Sequence, residues 1–116
     1  MIKTPVALAL TALIALVIAY GTLSPPGEGS GLPFTDKQLH FAAFAVLVLP
    51  LNWVRPGWWA SMAVTALLYG GAIELLQPMV GRTAEWGDLL ADGLGIITGL
   101  IPGLIRARKI GITLPR

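Results

Sequence analysis

Three closely spaced pairs of polar residues stand in or beside otherwise apolar sequence. Asp36 and His40 are spaced i,i+4, Glu74 and Gln77 i,i+3, and Asp88 and Asp92 i,i+4. On helices, each spacing puts both members on one face. A histidine with carboxylates can move protons as general acid and base. His40, Glu74, Asp88 and Asp92 could also hold a divalent metal, with the carboxylates favouring Mg2+ or Mn2+. Lys37 and Arg82 could hold an anionic headgroup, Arg82 through a bidentate fork. If the three faces turn inward, Asp36, Lys37, His40, Glu74, Gln77, Arg82, Asp88 and Asp92 line one binding pocket.

Each residue also has a purely structural reading. Phe34-Thr35-x-x-Gln38-Leu39 is a capping box with a hydrophobic staple, Thr35 at N-cap, Gln38 at N3 and Phe34 against Leu39. Asp36 gains from the helix dipole. Lys37 can snorkel to headgroups, and Asp88 can cap a following helix. His40, Glu74 and Asp92 are harder to dismiss, because each lies about a turn inside an apolar segment. An ionised group costs roughly 2.5–3.5 kcal/mol at the bilayer centre, and less near the interface. The structural outcome for these three is a clamp in which Arg82 or Lys37 pairs with Glu74 and Asp92.

The elements that must position these residues are membrane helices. Of 116 residues, 12% are charged and 55% hydrophobic, with a mean hydropathy of +0.76. Soluble domains run near 25% charged. Cysteine is absent, which excludes disulfides and thiolate metal sites. The pI near 9.4 accompanies a net charge of only +2, and the basic residues sit at segment ends. A membrane accounts for this pattern and nucleic acid does not.

Four apolar segments cover residues 5–23, 36–54, 58–76 and 88–105. Each is near the roughly 20 residues that span a bilayer core. Irregular chain cannot face lipid, so the segments are read as helices. The expected architecture is all-α, a single domain over residues 1–116 forming a bundle of four transmembrane helices. Ser24–Pro33 reads as a Pro/Gly/Ser loop, Arg55–Gly57 as a tight turn and Gln77–Gly87 as a longer connection. The first segment follows Lys3 as a signal peptide would. It is long for one and lacks a clean A-x-A cleavage site, so it is read as a retained helix.

Charge sets the orientation. Lys3, Arg55, Arg106, Arg108, Lys109 and Arg116 fall on one side, Lys37 and Arg82 on the other. The positive-inside rule then places both termini in the cytoplasm and the polar faces outside. The acidic residues Glu28, Asp36, Glu74, Glu85, Asp88 and Asp92 all fall on or near that outer side. Trp53, Trp58 and Trp59 mark the inner interface, and Trp86 the outer one. Gly87, Ala91, Gly95, Gly99 and Gly103 recur every fourth residue. Small residues at this spacing let helix backbones approach closely. Gly70 and Gly71 could supply the opposing surface, and Gly95/Gly99/Gly103 could equally meet a partner membrane protein. Pro50 and Pro102 are expected to bend their helices.

From Asp36 to Gly99 the chain resembles the VanZ-like membrane proteins. The resemblance lies in "DKQLH" (Asp36 to His40), "ELLQ" (Glu74 to Gln77), "GR" (Gly81, Arg82), Asp88, and "DGLGIITG" (Asp92 to Gly99). The family pattern usually has Asn where this chain has Asp92, which adds a potential negative charge. The resemblance implies a multi-pass protein of the bacterial cytoplasmic (inner) membrane. It also implies a link to the envelope, since the namesake is associated with low-level resistance to teicoplanin, a glycopeptide carrying a lipid tail.

Three functions are compatible with these residues. The first is recognition or modification of a lipid-linked envelope molecule in an outward-facing polar pocket. The second is a small structural or assembly subunit of a larger membrane complex. The third is a membrane-embedded acid/base or metal-dependent enzyme, although H-E-x-x-H, G-x-S-x-G and a Cys nucleophile are all absent. The expected partner is a membrane lipid or lipid-linked amphiphile. No cofactor, resident metal or nucleic acid is expected.

Overall fold

The capping box starts its helix as the sequence requires. In the computed structural model of the chain, which describes residues 2–24, 35–112 and 114, Thr35 Oγ1 accepts the Gln38 amide at 3.2 Å. Gln38 Oε1 in turn accepts the Thr35 amide at 3.0 Å. Two donors at the helix start are thereby satisfied. Helix α2 (Asp36–Val54) follows. Phe34, the expected staple, lies outside the described residues, as do Glu28, Arg116 and all of the Ser24–Pro33 loop except Ser24.

Helix α1 (Thr4–Leu23) precedes α2 and carries Pro5 in its first turn, where a missing N–H is tolerated. A short 3-10 turn, Pro56–Trp58, links α2 to α3 (Trp59–Leu76). A second 3-10 turn, Gln77–Val80, extends α3, and Gly81 ends it at φ 80°. That left-handed backbone is one glycine adopts without strain. Helix α4 (Trp86–Lys109) is longer at both ends than its apolar run. All four helices are long and apolar enough to cross a membrane, and no strand occurs among the described residues. The longest extent is 48 Å, enough to cross the roughly 40–45 Å of a whole bilayer. Pro50 and Pro102 lie inside α2 and α4 without ending them.

Helices α2 and α4 form the central pair, and the glycine stripe explains their closeness. A Cβ on Gly95 would lie 3.0 Å from the Phe41 carbonyl carbon and 3.2 Å from the Ala45 amide nitrogen. On Gly99 it would lie 2.7 Å from Val48 Cγ2 and 2.8 Å from Ala45 Cα, and on Gly103 it would meet Asn52. The surface opposing the stripe is therefore α2. Gly70 and Gly71 of α3, the other candidates, do not supply it, and Gly71 has nothing within 4 Å among the described residues. Fully buried Asn52 pins the pair by donating to the Leu100 carbonyl at 2.8 Å. Phe44, Leu47, Val48, Ala66, Ile73, Ile96 and Leu100 fill the core around it.

Helix α1 packs mainly on α2. It buries Ala7 and Ile18 and leaves Leu13, Leu16 and Val17 exposed, as suits a helix facing lipid. One end of the bundle is basic and aromatic. There Arg55 donates to Thr4 Oγ1 at 2.9 Å and Arg106 to the Trp53 carbonyl at 2.7 Å. Their guanidinium carbons lie 5.4 Å and 5.2 Å from the Trp58 and Trp53 rings. Interfacial arginine and tryptophan commonly sit this way.

Candidate functional site

The opposite end gathers the start of α2, the end of α3 and the start of α4. On α2, His40 continues the buried row of Phe44, Leu47, Val48 and Leu51, so helical periodicity turns it inward. On α3, Glu74 extends the row of Met62, Ala66, Gly70 and Ile73. On α4, Asp88 and Asp92 share the buried face of Ala91, Gly95, Ile96 and Gly99. The result is a polar cluster with little exposure: His40 7%, Glu74 2%, Asp88 5% and Asp92 0%.

His40 Nδ1 lies 2.7 Å from Asp92 Oδ1. An ionised Asp92 accepts the Nδ1–H, which leaves Nε2 as the free acceptor of the neutral ring. Nε2 is 3.7 Å from Asp88 Oδ2, beyond hydrogen-bond range. The imidazole stacks on Phe44, with centroids 6.4 Å apart and planes 4° from parallel. Phe44 in turn packs against Tyr69, whose hydroxyl donates to the Ala15 carbonyl of α1. This aromatic column holds the imidazole in place.

Glu74 Oε2 accepts the Glu85 amide at 3.0 Å, tying the end of α3 to the approach to α4. Lys37 lies at the rim, its Nζ 2.6 Å from Glu85 Oε2 and 3.6 Å from Asp88 Oδ1. The Lys37 ammonium, hydrogen-bonded to Glu85, holds the Glu85 carboxyl below the usual glutamate range. Two glycines make the space. A Cβ at Gly87 would lie 2.8 Å from Lys37 Cε, and one at Gly70 would lie 2.6 Å from Asp92 Oδ2.

Of the six buried side-chain oxygens without a hydrogen-bond partner among the described residues, four are at this end: Glu74 Oε1, Gln77 Oε1, Asp88 Oδ1 and Asp92 Oδ2. All are acceptors once the carboxyls are ionised. One potential ligating atom from each of His40, Glu74 and Asp92 lies within 4.8 Å of the others. The arrangement can therefore pass protons through His40, or bind an electron-poor group among the carboxylates.

The structure sorts the residues singled out from sequence. His40, Glu74, Asp88 and Asp92 come together, with Lys37 at the rim. Asp36 is exposed in the first turn of α2 and stands outside the cluster. Gln77 is buried, and its Nε2 donates to the Thr22 carbonyl of α1 at 3.3 Å. Arg82 requires a correction. It does not close the pocket over Glu74 and Asp92; its Nε and Nη2 donate to the Ser24 and Gly21 carbonyls, each at 3.0 Å. The last carbonyls of α1 lack helical partners and carry the negative end of its dipole, so they compete well for a guanidinium. Sequence reasoning gave Gly70 a packing role and Glu85 only a side of the membrane, and assigned neither to the site. Gly70 had a signal, since it precedes Glu74 by one helical turn. Glu85 had none, because its partner Lys37 is distant in the chain.

The family model described as VanZ/LLP1 matches residues 5–106. No curated protein and no solved structure matches the chain.

Proposed function

The chain belongs to the VanZ/LLP1 family, and on that premise we propose that it recognises or modifies a lipid-linked envelope molecule at the polar end of its bundle. The observation that carries the reading is the convergence of buried His40, Glu74, Asp88 and Asp92 from three membrane-spanning helices. For fold stability alone, well-packed apolar residues would serve as well or better. The cluster lies about a turn inside the helix ends, near headgroup depth. A molecule with its tail in lipid and its polar head at that level reaches the site without leaving the membrane.

The Lys/Arg distribution supports an outward-facing site in a bacterial inner membrane with both termini cytoplasmic. Arg82 and Lys37 already have protein partners, so the headgroup meets the open oxygens of Glu74, Asp88 and Asp92 instead. If the molecule is modified and not only held, His40 Nε2 is the base, with Asp92 orienting the ring. An assembly contact through Gly95, Gly99 and Gly103 has less to recommend it, because α2 of the same chain already fills that stripe.

Native mass spectrometry of the full chain from mild detergent tests the reading. The wild type should retain a lipid-linked species. Glu74→Gln should lose it at unchanged expression, and Leu75→Met, altering an exposed side chain on another face, should keep it. Equal retention by all three proteins, or retention by none, would refute the proposal.

A further inference from the structure

We infer that His40, Glu74 and Asp92 form a site for one divalent metal ion of the Mn2+ or Zn2+ type. The inference does not rest on the ligand reading, because the ion is measured on the protein alone; with the ion in place His40, Glu74 and Asp92 are its ligands, and a headgroup would meet the ion's open position and Asp88 instead of those three side chains. One ligating atom from each residue lies within 4.8 Å of the others. The three residues come from α2, α3 and α4 and are 7%, 2% and 0% exposed. Their positions are fixed by packing: the glycine stripe sets α2 against α4, and Gly70 leaves the notch that Asp92 occupies.

Two observations beyond the clustering point to a cation. Glu74 Oε1 and Asp92 Oδ2 are buried without a hydrogen-bond partner. A buried acceptor left open forfeits the hydration it had in water, and the loss is greater when the group is charged. Two such oxygens in one cluster call for a shared electron-poor partner. The second observation is charge balance. Glu74, Asp88 and Asp92 are all buried, the His40 ring beside them is neutral as a ligand, and among the described residues Lys37 is the cation that reaches them. Lys37 is shared with exposed Glu85, and Arg82 is committed to α1. A divalent ion supplies the charge that this end of the bundle lacks.

The donor set selects the metal. Carboxylates alone suit Mg2+ and Ca2+, imidazole suits Zn2+ and other later metals, and one imidazole with two carboxylates suits Mn2+ or Zn2+. Nitrogen and oxygen ligands sit about 2.0–2.2 Å from such an ion. Ligand atoms up to 4.8 Å apart would have to move slightly closer to reach that distance together, a side-chain adjustment that leaves the packed helices in place. Three protein ligands leave a coordination position for water or another oxygen, as in catalytic zinc sites.

The test uses the full chain in mild detergent, with its affinity tag removed and its metals stripped by EDTA. MnCl2 and ZnCl2 are then titrated by equilibrium dialysis, with CaCl2 as the contrast. The expected result is one tightly held ion per chain and weaker Ca2+ binding. Asp92→Asn and Glu74→Gln should each weaken binding at least about ten-fold. Lys37→Gln, outside the ligand set, should bind as tightly as wild type or more so. A second readout needs no variant. The chain holds a single histidine, so imidazole-nitrogen coupling in the spin-echo spectrum of the Mn2+-loaded protein assigns His40. No binding below millimolar ion, absent nitrogen coupling, or unchanged affinity in both carboxylate variants would each overturn the inference. A bound ion without any co-purifying lipid would leave the metal site standing and remove the ligand reading. Lipid retention without a metal would do the reverse.

Discussion

Replacing Gly99 with alanine tests whether the α2–α4 contact holds the site together. The added Cβ would lie 2.7 Å from Val48 Cγ2 and 2.8 Å from Ala45 Cα, and would press on the Ala45 carbonyl. Carbon atoms prefer to sit about 3.5–4.0 Å apart, so the helices must separate locally by about 1 Å. A gap of that order forfeits about a quarter to a half of each affected dispersion contact. Overpacking of this kind costs about 1–3 kcal/mol, while alanine returns up to about 1 kcal/mol of helix propensity. With the full propensity gain the net expectation is a loss of up to about 2 kcal/mol, and Gly99→Ala should fall about 1–3 kcal/mol below a glycine-to-alanine change that meets no neighbour. The displacement also reaches the site, because Asp92 lies two turns along α4 and is held 2.7 Å from His40 of α2. Gly71→Ala is the control: that position has nothing within 4 Å among the described residues, so the change should be neutral or slightly stabilising. Unfolding of both variants in one detergent, followed by tryptophan fluorescence, reads the difference. Equal stability of the two would mean that the glycine stripe does not set the helix spacing, and the account of how the site is positioned would fail.

Three further expectations follow from named contacts. The chain has no cysteine, so Thr83→Cys should react with an impermeant thiol reagent in intact cells and Gly111→Cys should not; the reverse pattern would place the site on the cytoplasmic side. Thr35→Ala removes the acceptor for the Gln38 amide and should cost about 1 kcal/mol, whereas Thr98→Ala, at an exposed mid-helix position, should be close to neutral in the same unfolding assay. Lys37 holds Glu85 below its usual range, so the pair stabilises the fold above the ordinary carboxyl pKa and is lost as pH falls through the depressed folded value. Glu85→Gln should therefore lower stability slightly at neutral pH and match wild type in acid; a difference that persists in acid would show that the ion pair is not its source.

The four spans were legible because length and apolar character suffice for a membrane helix. The start of α2 was legible because Thr35 and Gln38 satisfy each other's backbone within a few residues. That His40, Glu74 and Asp92 share one end of the bundle could be read from their places along antiparallel segments, and their inward direction from helical periodicity. The glycine period announced a close helix approach but could not say which helix approaches, because α2 and α3 both flank α4 and the choice depends on packing of whole faces. Arg82 was misread for a related reason. Glu74 is near it in sequence, but the α1 carbonyls that it caps are brought close only by the folded chain. The Lys37–Glu85 pair was invisible on the same ground.

The central claim is that the polar end meets a lipid-linked envelope molecule, and photocrosslinking in living cells tests it most directly. A photoreactive side chain at exposed position 84, beside Glu85, is activated and the adduct identified by mass. A matched probe at position 110, at the basic end, is the reference. The account predicts a lipid-linked adduct from position 84 that disappears in Glu74→Gln, and none from position 110. The same adducts from both ends, or no adduct from position 84, would contradict it.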